Sequence, residues 1–112
     1  MRAAVVIPAY NEAGTIRELV RRVLAYCSEV AVVDDGSSDG TADALAGLPV
    51  TLLRHDSNKG KGAALATGFE WALANGADAI VTLDGDGQHR RPVTLWREFD
   101  LRCASRAMTL KP

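Results

Sequence analysis

Two cysteines, Cys27 and Cys103, are all that the 112 residues hold. Their spacing fits neither a zinc-ligand set nor a disulfide framework. Cys27 falls on an apolar helical stripe, where a buried thiol is the usual outcome, so a reducing compartment is expected. A surplus of one charge is also missing: 13 Lys and Arg stand against 14 Asp and Glu, for a net charge of −1. General nucleic-acid binding, which needs a basic surface, is therefore not expected. No apolar run approaches the length of a bilayer span. Residues 1–7 are too short for a signal peptide and read as a strand. The expected location is cytoplasmic, with any membrane work done at the inner face. A chain of this length is one small domain or part of a larger one, with enough residues for one core.

What the chain does have is alternation. Residues 3–7 are a continuous apolar run, as in a strand buried on both faces. A helix is predicted over 14–27, because Ile16, Leu19, Val20, Val23, Leu24 and Cys27 recur at helical spacing. A second strand is predicted over 29–33, a short helix over 41–45 and a third strand over 50–53. A second long helix runs to about residue 74, with Leu65, Phe69, Ala72 and Leu73 as its apolar stripe. Asn75-Gly76 closes it as a left-handed cap. The fourth strand is placed at 77–83. Strands alternating with helices predict a Rossmann-like α/β fold, a mostly parallel sheet with helices on both faces. In such sheets ligands bind beyond the carboxyl ends of the strands.

The polar clusters fall at those ends. Asp84-Gly85-Asp86 follows the apolar residues 79–83 and continues into Gly87-Gln88-His89. Residues i and i+2 of an extended segment point the same way, so both carboxylates could reach one hard cation, magnesium or manganese. Alone, an Asp-Gly pair after a strand is usually a turn. Gln88 could add a neutral oxygen; His89 suits such a cation less well. Residues 34–40, Asp-Asp-Gly-Ser-Ser-Asp-Gly, could be only a polar turn, and Asp39 a cap for the short helix. Asp35 could instead accept hydrogen bonds from a base or ribose. Tyr10 could pack in the core or lie against a nucleobase, and Glu12 could simply favour the next helix start. Asn58-Lys59-Gly60-Lys61-Gly62 has the composition of a phosphate cradle without P-loop spacing. His55 has no partner visible in sequence, and a surface or satisfied histidine is expected there rather than a ligand.

Charge is unevenly placed. After Gln88 come Arg90, Arg91, Arg97, Arg102, Arg106 and Lys111, against Glu98 and Asp100. Pro92 can start a helix, with Val93, Leu95, Trp96 and Phe99 as an irregular apolar face. Such a basic helix could meet phosphate or an anionic membrane surface, or be a solvated face.

Four segments in order carry a family resemblance: residues 5–12 (VVIPAYNE), 32–41 (VVDDGSSDGT), 58–62 (NKGKG) and 84–89 (DGDGQH). Together they resemble the nucleotide-sugar half of the family 2 glycosyltransferases, most of all the dolichyl- and polyprenyl-phosphate sugar synthases. The resemblance implies a partial GT-A fold, inverting transfer from a GDP- or UDP-sugar, and a Mg2+ or Mn2+ cofactor. It implies that Pro8, Tyr10, Glu12, Val33 and Asp35 line the nucleoside pocket. Asp84, Gly85 and Asp86 would meet the nucleotide-sugar, with Asp84, Asp86 and Gln88 as metal ligands. The acceptor would be a lipid phosphate, which is already ionised and needs no general base. No catalytic base is named. Residues 1–91 would be the donor-binding part, and 92–112 a basic helix or a truncated end, with the acceptor half absent. A sugar nucleotidyltransferase would carry a glycine-rich loop with a basic residue after strand one, and residues 8–12 contain no glycine.

Overall fold

The structure is a computed structural model that describes residues 2–83 and the backbone of 108–109. Strands β1 (Ala3–Ala9), β2 (Val30–Asp34), β3 (Thr51–Arg54) and β4 (Ala79–Thr82) are parallel. With β5 (Met108–Thr109), antiparallel to β4, they form one sheet in the order β3-β2-β1-β4-β5. The chain steps from β1 to β2 in one direction, then returns past both to place β4 on the other side of β1. Right-handed crossovers in opposite directions put their helices on opposite faces of a sheet. Accordingly α1 (Ile16–Leu24) packs on one face and α2 (Lys61–Ala74) on the other.

The period of two in the strands divides the core. Val5, Ile7 and Ala9 of β1 join Val30, Val32 and Val81 beneath Ile16, Leu19, Val20 and Val23 of α1. Ala4, Val6, Val33 and Ile80 face Ala64 and Ala72 of α2. Each buried Val or Ile contributes about 1.5–3 kcal/mol relative to exposure. β1 and β2 are buried almost throughout, as continuous apolar runs predict for inner parallel strands.

Several boundaries differ from expectation. The first helix is shorter than 14–27: the amides of Thr15 and Ile16 donate to the Glu12 carbonyl, and those of Tyr26 and Cys27 to Val23. Cys27 is half-buried rather than buried, its Sγ 3.7 Å from the carbonyls of Ala3 and Glu29. The short helix is a 3₁₀ turn, Asp43–Leu45. The stripe of α2 is rotated from the expected one. Ala64, Gly68 and Ala72 are buried, Leu65 and Phe69 flank them, and Leu73 is 52% exposed. Small residues win the contact because they let the helix axis approach β1. A Cβ added at Gly68 would run into Val6 Cγ1. The end of α2 is as expected: Gly76 has φ +78°, its amide donates to Leu73 and that of Ala77 to Ala72, a full Schellman closure. The helix predicted from Pro92 lies outside the described residues.

Candidate functional site

The parallel strands β1, β2 and β4 end at one edge of the sheet, where the loops after β1 and β2 leave, and the strand order reverses between β1 and β4. In an open α/β sheet the carboxyl edge at such a reversal is the usual ligand position.

The loops after β1 and β2 are sewn together. Asn11 adopts φ 53°, a left-handed conformation that Asn tolerates better than most residues. Its amide donates to Ser37 Oγ (2.8 Å), and its Oδ1 accepts from the Ser38 amide (2.9 Å). The Glu12 amide donates to Thr41 Oγ1 (2.9 Å) and the Ala13 amide to Asp39 Oδ2 (3.1 Å). Below them the Asp35 amide donates to the Ala9 carbonyl (2.9 Å). Residues 34–41 are thus more than a turn: their side chains satisfy amides before α1 that no helix bond serves. Asp39 does not cap the 3₁₀ turn, whose N-cap is Ala42 without a side-chain bond. Instead its Oδ1 accepts the amide and hydroxyl of Thr41. The Thr41 hydroxyl first, then the amides of Ala13 and Thr41, hold the Asp39 carboxyl below the usual carboxylate range against the opposing effect of desolvation.

Asp34 and Asp35 point into different surroundings. Asp34 Oδ1 accepts the Ser37 amide (3.0 Å). Its Oδ2 is buried without a hydrogen bond among the described residues and faces Arg54 Nε at 3.5 Å, a charge contact rather than a hydrogen bond. Beside this pair lies a polar cavity of about 200 Å³, bounded by Ser38, Thr41 and Asp43.

Asp35 is tied to the third segment. Its Oδ1 accepts the Lys59 amide (2.9 Å) and lies 2.7 Å from His55 Nδ1; its Oδ2 accepts the Gly60 amide (2.8 Å). His55 Nε2 lies 2.8 Å from Thr67 Oγ1 of α2. Burial pushes the Asp35 carboxyl upward, but the Lys59 amide, the His55 ring and the Gly60 amide outweigh it, and the carboxyl sits below its ordinary range. Two amides at the start of α2 are therefore occupied by a carboxylate of the protein itself. This corrects the phosphate-cradle expectation for those amides of residues 58–62. His55, partnerless in sequence, is a satisfied and largely covered histidine bridging β2 to α2. Neither its role nor that of Thr67 had a local signal.

The expected site residues separate by depth. Pro8 and Val33 are Cα partners in register and both are buried, Val33 under α2. Tyr10 is 47% exposed at the end of β1, which removes the core alternative. Glu12 is half-buried at the mouth of the sewn loops. Asp84, Gly85, Asp86, Gln88 and His89 lie outside the described residues. Among the described residues no three His, Cys, Asp or Glu groups form a cation site.

Fold and edge define an open, doubly wound α/β protein whose described polar loops, after β1 and β2, are joined at the carboxyl edge. Residues 4–95 match the model of Glycosyl transferase family 2, and the chain belongs to that family. It is similar to a polyprenol monophosphomannose synthase of Mycolicibacterium smegmatis, 43% identical over 88% of this chain and 40% of that protein. It is also similar to an undecaprenyl-phosphate mannosyltransferase of Micrococcus luteus, 37% identical over 80% of this chain and 40% of that protein. The chain thus spans well under half the length of these relatives. Among solved structures it resembles S. aureus TarS in complex with UDP, with TM-score 0.68 and 25% identity over 77% of this chain and 28% of that one. Glucosyl-3-phosphoglycerate synthase from Mycobacterium tuberculosis, solved with Mn2+, UDP and its product, gives TM-score 0.63 and 25% identity over 75% of this chain and 33% of that one. The fold is a partial GT-A fold. No helix among the described residues is long and apolar enough to cross a membrane.

Proposed function

We propose that this chain carries the donor-binding part of an inverting, metal-dependent glycosyltransferase that passes a sugar from a nucleotide-sugar to a polyprenyl or dolichyl phosphate. The observation that carries the proposal is the sewn carboxyl edge of β1 and β2, in a member of Glycosyl transferase family 2. The names of two relatives, which specify polyprenol and undecaprenyl phosphate, support the acceptor class. Tyr10 offers an exposed ring for a base to lie on. Pro8 and Val33 form the floor beneath it, Glu12 stands at the ribose side, and Asp35 reads the base. Asp84, Gly85 and Asp86 meet the diphosphate-sugar, and Asp84, Asp86 and Gln88 are the ligands we assign to Mg2+ or Mn2+. Bound there, a divalent cation would stabilise negative charge on the departing nucleoside diphosphate. A lipid phosphate is ionised near neutral pH, so the transfer needs no general base from this chain, and none is assigned. Residues 1–91 form the donor part, working at the inner face of a membrane.

Calorimetry with UDP and GDP, with and without Mn2+, tests the reading. We expect Mn2+-dependent binding that Asp86→Ala abolishes. Binding indifferent to both Mn2+ and Asp86→Ala, or no binding by a folded chain, would overturn it. The 40% coverage of both relatives favours a second reading, a nucleotide-sugar binder whose turnover needs a further segment or chain. That reading predicts the same binding without transfer to polyprenyl phosphate.

A further inference from the structure

We infer that the cavity beside Asp34 and Arg54 is a site for one small monovalent cation, an alkali-metal ion or an ammonium group. Asp34 is 1% exposed, and its Oδ2 has no hydrogen bond among the described residues. A buried carboxylate oxygen without a partner is strongly disfavoured, and such atoms ordinarily meet an ion or an ordered water. Arg54 does not meet the need, because its Nε stands 3.5 Å away as a charge contact only. Asp34 and Arg54 both line a cavity of about 200 Å³, together with Asp43, Ser37 and Ser38. That is room for one ion with part of its hydration shell.

Charge selects the valence. The lining holds two carboxylates, Asp34 and Asp43, and one guanidinium, Arg54, which leaves one negative charge. A single positive charge balances it. A divalent ion would overshoot and would meet the Arg54 guanidinium at close range in a poorly screened setting. It would also lack ligands, because no three His, Cys, Asp or Glu groups gather among the described residues. Serine hydroxyls and water supply the neutral oxygens that a hard monovalent ion accepts. Access to Oδ2 runs past Arg54. That side chain is 58% exposed on the edge strand β3, so it can slide aside without opening the core.

The place of the cavity gives the ion a consequence. Residues that line it also hold the loop after β1. Ser37 Oγ accepts the Asn11 amide, the Ser38 amide donates to Asn11 Oδ1, and Thr41 Oγ1 accepts the Glu12 amide. An ion on Asp34 therefore steadies the segment that fixes residues 11 and 12 at the carboxyl edge.

The test compares thermal midpoints and amide NMR spectra of the full chain in potassium, sodium, ammonium, methylammonium and choline chlorides at equal concentration. Chloride and ionic strength are then common to all, and choline's methyl groups keep its charge away from oxygen ligands. At about ten times its Kd, a fitting ion should raise the midpoint by about 5 °C over choline. The amides of Ser37, Ser38 and Asp43 should shift saturably with that ion, and those of Asn11 and Glu12 with them. A response to methylammonium supports an amine as the ligand; a response to potassium or sodium alone supports the bare ion. Asp43→Asn, at an exposed position, should weaken the ion by about tenfold. Asp34→Asn keeps an oxygen for the Ser37 amide and should abolish the response. Arg54→Gln leaves two negative charges and should let Ca2+ shift the same amides, which it should not do in the wild type. Equal midpoints in all five chlorides would mean that Arg54 alone completes Asp34, and would overturn the inference. So would an ion response that Asp43→Asn and Asp34→Asn leave unchanged, or Ca2+ shifting these amides in the wild type. No nucleotide is present, so either outcome is independent of the proposed donor site.

Discussion

Gly36 is the residue on which two loops meet. It has φ +79°, and a Cβ there would lie 2.5 Å from Asn58 N and 2.5 Å from the Ser57 carbonyl carbon. Both are backbone atoms and cannot step aside as a long side chain would. Gly36→Ala is expected to destabilise the chain by about 2–3 kcal/mol, measured by urea midpoint. Asp35 gives a pH prediction. Its folded pKa is lowered, so at low pH the unfolded chain takes up the proton first. The stabilisation is complete above the unfolded value of about 3.9 and is lost as pH falls through the lower folded value. Asp35→Asn should therefore flatten the acid side of the stability–pH curve below about pH 5. A wild-type curve that keeps the same slope in Asp35→Asn would contradict this. At this scale the sequence told less. Asp35 was legible as functional or structural, but its partners are 20–25 residues away, just after β3 and just before α2. No local pattern reports such a pairing, so the partners of His55, Asp35 and Thr67, were not legible.

Elements were easier to see than contacts. Every described strand but the two-residue β5, and both long helices, follow from apolar runs and helical spacing. The Schellman closure at Asn75-Gly76 was legible too, because a left-handed glycine at a helix end is a local requirement. The face of α2 was not. Leu73 is apolar and at helical spacing, yet it is exposed, because the close approach to β1 is set by the small residues Ala64, Gly68 and Ala72. Gly68→Ala should therefore cost about 1–3 kcal/mol through its collision with Val6. Leu73→Gln should change stability by less than about 0.5 kcal/mol. The same urea titrations decide both, and a large loss at Leu73 with none at Gly68 would restore the stripe expected from sequence.

For the molecule as a whole, alternation of strand and helix was enough to predict the parallel sheet, and among the described residues the loops after β1 and β2 meet at its carboxyl edge. The same order predicts how the described part opens. β1 and β2 have partners on both sides and are buried, whereas β3 is an edge strand with alternate residues exposed. Hydrogen exchange should therefore be slowest in β1 and β2 and faster in β3, because edge amides open with less disruption of the core. Equal protection of β3 and β1 would mean that something covers that edge.

The carboxylate at the start of α2 also bears on competition in solution. A helix N-terminus attracts any phosphate nearby. Here the Lys59 and Gly60 amides already bind an anion that cannot diffuse away. Free phosphate gains nothing by displacing it, so this helix end cannot act as a decoy for a diphosphate arriving at the same edge. Orthophosphate should therefore leave the Lys59 and Gly60 amide signals unshifted in an NMR titration.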